Sequence, residues 1–172
     1  MRKICAPLNP NPGALERHLA STGSLCILGP TPTQADFALY GLFSQLIADR
    51  TPDELIRTEY PTVWAWTRKV EDLSGLEAAH CDNVQFLQEI LTFAGEVYLP
   101  FLAANSAALY AGEKEVSVSL WRADPILHTQ PVFKYQQKCF KRIRQSYAEL
   151  PPDYKERVKK LLLETDCTRF LE

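Results

Sequence analysis

The sequence is poor in the residues on which several common kinds of site depend. It has only 7 glycines in 172 residues, which leaves little material for the glycine-rich loops that cradle phosphate groups. Its 5 cysteines are scattered, without a C-x-x-C pair or a nearby histidine. This arrangement argues against a disulfide framework and against a zinc site, and it favours a reducing compartment. We therefore expect a cytoplasmic protein without a metal site.

The sequence also lacks an excess of one charge, a leader peptide and a membrane span. Its 19 Lys and Arg against 21 Asp and Glu give a formal net charge of −2, which is not the balance of a strongly basic nucleic-acid binder. No apolar leader opens the chain. The most apolar stretch, residues 97–111, is shorter than a bilayer span and contains Pro100 and Asn105. We expect neither a membrane nor a nucleic acid as partner.

The chain is rich in apolar residues that recur at helical spacing. Apolar residues make up 46% of it, enough for the core of one domain of this length. Residues 1–12 read as an irregular segment, and 112–132 read as a long loop in which Val116, Val118 and Leu120 alternate without a visible partner strand. The sequence predicts an all-α bundle forming a single domain over residues 1–172.

Helix start and stop signals divide this bundle into about six helices besides a short one that starts at Thr51. The expected boundaries are Pro12 to Gly23, Thr33 to Ile47, a short helix from Thr51, Pro61 to Gly75, Val84 to Ala111 with a kink at Pro100, Phe133 to Tyr147, and a last helix around Tyr154 to Leu162.

Two of these helices start with a capping signature. In Thr33-Gln34-Ala35-Asp36 the Thr33 hydroxyl can accept from the Asp36 amide, and the Asp36 carboxylate can accept from the Thr33 amide. The residues that follow are apolar almost all round, so we expect a central, buried helix. Thr51-Pro52-Asp53-Glu54 reads as a second capping box. The structural role of Thr33 and Asp36 is the firmest interpretation that the sequence allows.

Residues 27–41, Ile-Leu-Gly-Pro-Thr-Pro-Thr-Gln-Ala-Asp-Phe-Ala-Leu-Tyr-Gly, closely resemble the C-terminal helical domain of the glutathione S-transferase superfamily. There a capping box opens the buried core helix. Residues 60–66, Tyr-Pro-Thr-Val-Trp-Ala-Trp, resemble the family's next signature. Residues 95–102 and 131–136 look like a bacterial branch with an extended C-terminus. The resemblance covers roughly residues 13–165.

The resemblance implies a two-domain enzyme of which this chain holds one part. Family members begin with a thioredoxin-like domain that carries the catalytic residue and binds the γ-glutamyl group of glutathione. No strand–helix–strand pattern precedes the first helix here, and the three prolines before Leu15 prevent the long helix that normally opens the helical domain. We therefore expect no catalytic residue, no glutathione site and no cofactor in this chain; glutathione enters only with a thioredoxin-like domain.

Four aromatic residues are candidates for the pocket that receives the electrophile, which is the helical domain's task in this family. The alternative for each is ordinary core packing. Cys5 lacks a neighbour that would lower its pKa. The three histidines have no ligand spacing, and we interpret them as solvated. The four pocket candidates are Tyr98, Phe101, Trp121 and Tyr135.

A run of nine Lys and Arg against three acidic residues lies between Lys134 and Lys160. It can be a phosphate-binding surface or, as we expect, a solvated helix face.

The predicted function is that of the acceptor-binding half of a glutathione transferase, which is not catalytically competent alone. The alternative is a stand-alone helical module that binds protein partners or acts as a scaffold. Whether the chain counts as an enzyme stays open, with the isolated chain expected to be inactive. Because the opening helix is missing, apolar surface is left bare, and we expect either a homodimer or a covering thioredoxin-like domain.

Overall fold

The structure, a computed structural model, describes residues 12–23, 26–29, 31–73 and 84–172. It divides into two compact units, Pro10–Leu87 and Gln88–Glu172, with Met1–Asn9 outside the described residues. Each unit is described by itself. The expected single domain stays a prediction.

The first unit consists of four helices. Helix α1 spans Pro12–Thr22, α2 spans Gln34–Leu46, α3 spans Arg50–Glu59 and α4 spans Pro61–Val70. Helix α4 is the centre of the unit and packs against each of the other three. Its face of Val63, Trp66 and Val70 is buried, as the periodicity predicts. The core is completed by Leu15, Leu19, Cys26, Ile27 and Ile56.

Helix α2 starts where the capping box predicts, but the expectation that it is buried is wrong. Asp36 is its one fully buried residue, whereas Phe37, Leu42 and Leu46 are 54%, 59% and 44% exposed. The helix packs along one side against α4, where the rings of Phe43 and Trp66 meet edge to face at 6.3 Å. Apolar composition tells how much of a helix favours burial, but it does not tell how many neighbours will cover it.

The second capping box, Thr51 to Glu54, does not form. Helix α3 begins at Arg50 with Asp49 as its N-cap, so Thr51 lies inside the first turn. Pro52 is tolerated there because amides in the first turn have no intrahelical acceptor to lose. The predicted end of α4 also moves: the helix stops at Val70, and Gly75 lies outside the described residues.

A long helical run, which begins four residues before the second unit, changes its geometry in the middle. Helix α5, Val84–Phe93, leads into a π-helical turn, Ala94–Tyr98, and the turn leads into α6, Leu99–Tyr110. The sequence predicts a kink at Pro100. The structure instead places a π turn directly before the proline.

Pro100 explains part of this geometry. A proline has no amide hydrogen, so the carbonyl of Glu96, four residues earlier, loses its α-helical donor. The backbone N–H of Trp121 takes that place and donates to the Glu96 carbonyl oxygen at 3.3 Å. Trp121 itself adopts a left-handed backbone conformation with φ of 64°. The π turn is thereby tied to the segment that follows the first strand.

The expected long loop at 112–132 is a β-hairpin, so that expectation is wrong. Strand β1, Glu115–Leu120, pairs antiparallel with β2, Ile126–Pro131. Val116 and Leu120 of β1 are buried, while β2 is mostly exposed. The alternation that marks β1 is absent from the exposed strand, because only a half-buried strand shows it. His128, interpreted as a loop residue, lies on β2.

Three helices complete the second unit: α7 spans Lys134–Ala148, α8 spans Pro152–Glu164 and α9 spans Thr168–Leu171. Asn105 of α6 is buried, and its side-chain amide bonds both the N–H and the carbonyl oxygen of Phe133 at 2.9 Å. This pair of bonds fixes the start of α7 against α6. The core of the unit consists of Val97, Leu99, Phe101, Leu102, Val116, Leu120, Phe140, Leu162 and Cys167.

Candidate functional site

Asp36 joins two segments of the first unit at the start of α2. Both bonds of the capping box with Thr33 are present. Asp36 Oδ2 accepts from the Thr33 backbone N–H and from its hydroxyl, each at 2.8 Å. Asp36 Oδ1 accepts from the backbone N–H of Ile27 at 2.7 Å. The predicted cap is confirmed, and the carboxylate also anchors the preceding loop, which the capping pattern does not reveal.

His18 braces the same loop from the other side. Its side chain is 7% exposed, and Nε2 lies 2.7 Å from the carbonyl oxygen of Ile27. The interpretation of His18 as a solvated histidine is therefore wrong. His18 lies on the buried stripe of α1 with Leu15 and Leu19, where a polar ring needs a partner. His80 lies outside the described residues.

Glu16 caps a helix that lies 46 residues away in sequence. Its carboxylate accepts from the backbone N–H of Thr62 at 3.0 Å and from that of Val63 at 2.8 Å. These amides belong to the first turn of α4, which has no side-chain bond from its own N-cap, Tyr60. A carboxylate at a helix start satisfies the amides and interacts favourably with the helix dipole.

A shallow cleft of about 210 Å³ lies between α2 and α4. This volume is below the roughly 300–1,000 Å³ of typical ligand pockets. Its cation, Arg68, is 3.8 Å from the Glu71 carboxylate and lies over the ring of Trp64 at 5.5 Å. The lining residues are Tyr40, Ser44, Ile47, Ala48, Thr67, Arg68 and Glu71.

The four predicted pocket residues occupy two environments in the second unit. Phe101 is in the core with its ring 5.7 Å from that of His128. Trp121 packs against the same core, 5.6 Å from the ring of Phe93. Tyr98 and Tyr135 are instead 41% and 71% exposed. The four-residue pocket stays a prediction.

Tyr98 and Tyr135 lie near one another and near a thiol. Burial raises the pKa of the Tyr98 hydroxyl, and the neighbouring Cys139 and Tyr135 raise it further. Tyr135 and Cys139 are four residues apart on α7, a spacing that places them on the same face of the helix. Tyr98 ends the π turn and directly precedes α6, which packs against α7. Its interactions with Tyr135 and Cys139 indicate that the two phenols and the thiol lie close together.

The thiols of the two buried cysteines are poor candidates for nucleophiles. Burial raises the pKa of Cys26 to about 11, and the nearby Asp36 adds to the shift. Burial also raises the pKa of Cys167, whose thiol donates to the Leu91 carbonyl at 3.2 Å. Within the described ranges, no three His, Cys, Asp or Glu side chains cluster as a metal site requires. Cys5 lies outside these ranges.

The comparisons with known proteins bear on the first unit. Residues 13–69 match the family described as glutathione S-transferase, C-terminal domain. Neither curated proteins nor solved structures offer a match to the chain. None of the helices in the described part of the chain is long and apolar enough to cross a membrane. The matched region contains the capping box, its partner loop and nearly all of α4. The resemblance that the sequence suggests is confirmed at residues 13–69, and its continuation through residues 95–102 and 131–136 stays a prediction.

Proposed function

We propose that this chain supplies the electrophile-binding helical half of a glutathione transferase and needs a thioredoxin-like domain for catalysis. The observation that carries the proposal is the family match at residues 13–69, whose framework of Asp36, Ile27 and Thr33 is intact. In such an enzyme, glutathione thiolate attacks an electrophilic carbon, and the thiol is activated on the other domain. The free cysteines Cys26, Cys139 and Cys167 suit the reducing cytoplasm, where we place the protein.

The acceptor surface that we propose consists of Tyr98 and Tyr135, backed by Phe101 and Trp121 in the core of the second unit. The two exposed tyrosines present apolar rings with a polar end, which suits aryl electrophiles. The pKa of the half-buried Tyr98 is raised above its ordinary value of 10.0, so its hydroxyl keeps its proton at neutral pH and in mildly alkaline solution as well. It therefore offers a hydrogen-bond donor and not a negative charge.

Two measurements on the purified chain test this proposal. With glutathione and chlorodinitrobenzene, an activated aryl halide, we expect conjugation at the uncatalysed background rate. Clear turnover, or micromolar glutathione binding by calorimetry, would contradict the proposed division of labour.

The second measurement is binding of the aryl halide to variants of the chain. Tyr98→Ala and Tyr135→Ala should weaken binding by about tenfold, because each removes an aromatic contact. Tyr154→Ala is the matched control, since Tyr154 is 51% exposed on another helix. Equal effects of all three substitutions would contradict the proposed acceptor surface.

We also propose that the chain forms a homodimer through the exposed apolar side of α2. Leu42 and Leu46 are four residues apart, which places them on one side of the helix, and they are 59% and 44% exposed. Exposed apolar patches drive association. Leu42→Glu should yield a monomer in light scattering, while Leu163→Glu should not, although Leu163 is 57% exposed on α8. A wild-type chain that stays monomeric at high micromolar concentration would contradict the dimer. Assembly of the chain with itself, or with a protein that has no thioredoxin-like domain, would favour the alternative of a stand-alone protein-binding module.

A further inference from the structure

Helix α7 carries positive charge without any negative charge of its own. Its fifteen residues include no Asp or Glu, in a chain whose formal net charge is −2. The balanced composition of the whole chain hides this concentration of charge. The cations of the helix, all exposed, are Lys134, Lys138, Lys141, Arg142 and Arg144.

Four of the five cations of α7 have no ion pair among the described residues, whose ion pairs lie on α4, on α8 and around Asp166. The fifth, Arg144, donates from Nη2 to the main-chain oxygen of Glu172 at 2.5 Å. Helix α8 is different, because Lys159 pairs with Glu156 and Lys160 pairs with Glu164. The basic run seen in the sequence therefore separates into a part on α7, where the lysines have no ion pair, and a part on α8, where two of the four cations are paired.

Three of the lysines form a straight line. Lys134, Lys138 and Lys141 are spaced by four and three residues, so their side chains follow one side of the helix. At 1.5 Å per residue, the line is about 10.5 Å long between its outer Cα positions. A line of unpaired cations of this kind fits a chain of regularly spaced phosphates better than it fits one isolated anion.

Exposed aromatic rings stand at both ends of the line. At one end Phe133, which is 54% exposed, directly precedes Lys134 and is held by its two backbone bonds to Asn105. At the other end the Lys141 ammonium lies over the ring of Tyr110 at 5.4 Å, and Tyr110 is 72% exposed. Basic residues between exposed rings are the pattern of surfaces on which unpaired bases stack.

From this arrangement we propose that α7, with Tyr110 of α6, binds single-stranded nucleic acid. The lysine line contacts the phosphates, and the rings of Phe133 and Tyr110 stack on bases. An anionic membrane fits less well, because the exposed side of α7 lacks the row of large aliphatic residues that would enter the bilayer. An acidic polypeptide fits less well because it would use the cations and leave the two rings without a role. The proposal is independent of the transferase function.

The test measures anisotropy of a labelled sixteen-nucleotide single strand against the full chain at several salt concentrations. Lys134→Gln/Lys138→Gln should lower the slope of log affinity against log salt by about 1.4, since each cation contributes about 0.7 on single strands. The matched control is Lys159→Gln/Lys160→Gln, which removes the same charge from α8. The control should leave the slope nearly unchanged.

A further variant separates stacking from charge. Tyr110→Ala should weaken binding by about tenfold without changing the salt slope, because stacking releases no counterions. Circular dichroism verifies that each variant is folded. No binding by the wild-type chain at low salt, or equal losses in the α7 and α8 variants, would overturn the proposal. Tighter binding to anionic vesicles, or to polyglutamate, than to the single strand would also overturn it.

Discussion

The backbone of Thr165 lies so close to Gly95 that position 95 has no space for a β-carbon. Gly95 is part of the π turn, and Thr165 follows the end of α8. The contact brings two segments of the second unit together without any side chain from the glycine. Such a close approach of backbones is a physical reason for glycine that does not depend on φ.

This relationship predicts opposite effects for two Gly→Ala substitutions. Gly95→Ala should lower the free energy of unfolding by about 3 kcal/mol or more, because the added carbon must displace backbone. Gly41→Ala should raise it by about 0.5–1 kcal/mol, because Gly41 lies in α2 with open space around it. Urea titrations measure both values. A neutral Gly95→Ala variant would mean that the two segments do not touch.

Asp36→Ala should be among the most destabilising substitutions in the first unit. It removes the acceptor of the Ile27 and Thr33 amides and leaves both without partners, at about 3 kcal/mol or more in total. Glu54→Ala serves as control, because Glu54 is exposed on α3 and its expected capping box does not form; we expect a change within about 0.5 kcal/mol. Similar losses for the two variants would show that Asp36 does not connect loop and helix.

Glu16 allows a test of helix capping by a residue that is far away in sequence from the helix it caps, α4. Glu16→Ala should cost about 1–2 kcal/mol, because the amides of Thr62 and Val63 lose their acceptor. Glu16→Gln should cost less, since one oxygen remains while the charge at the helix start is lost. Glu59→Ala removes the same charge from an exposed position and should have little effect. Hydrogen exchange at residues 62 and 63 should speed up in the Glu16 variants alone.

The cysteines should differ in their reactivity towards iodoacetamide. At pH 8 we expect alkylation of the half-buried Cys139 before that of Cys26 or Cys167, because burial raises the pKa of both buried thiols. Peptide mass spectrometry identifies the modified residue. Early modification of Cys26 would show that the loop at 26–29 opens readily.

The raised pKa of Cys26 also makes its contribution to the free energy of unfolding depend on pH. The thiol has a pKa of about 11 in the folded chain against 9.0 when exposed. Between these values the unfolded chain loses the proton first, so the contribution of Cys26 is fully present below about pH 9 and is lost as the pH rises towards 11. The difference in urea stability between wild type and Cys26→Ala should therefore shrink over that interval. A constant difference would contradict the shift.

The helices were largely predictable because their signals are local. Thr33 and Asp36 are three residues apart, and the stripe of Val63, Trp66 and Val70 repeats at the helical period. A helix start or an amphipathic face needs no information from distant parts of the chain. The same holds for α7, whose predicted boundaries differ from the observed ones by one residue.

The features that escaped prediction depend on partners far away in sequence. Glu16 looks like an ordinary exposed carboxylate until α4 is placed beside α1. The exposed strand β2 has no alternation, and the π turn depends on a donor from Trp121, 25 residues after its acceptor Glu96. The proposed acceptor surface has the same difficulty, because Tyr98 and Tyr135 are far apart in sequence and come near one another only where α6 packs on α7. Adjacent sequence carries no record of these contacts.

The π turn also sets the direction in which the buried face of α6 points. Each residue advances a helix by about 100°, and the wide turn uses one residue more than a regular turn would. If the same residues were wound as a regular helix, everything after the turn would be rotated by about that angle. Phe101 and Leu102 would then turn away from the core that they share with Val116 and Leu120 of the hairpin. The wide turn thus accommodates one extra residue while the buried face of α6 stays in the core.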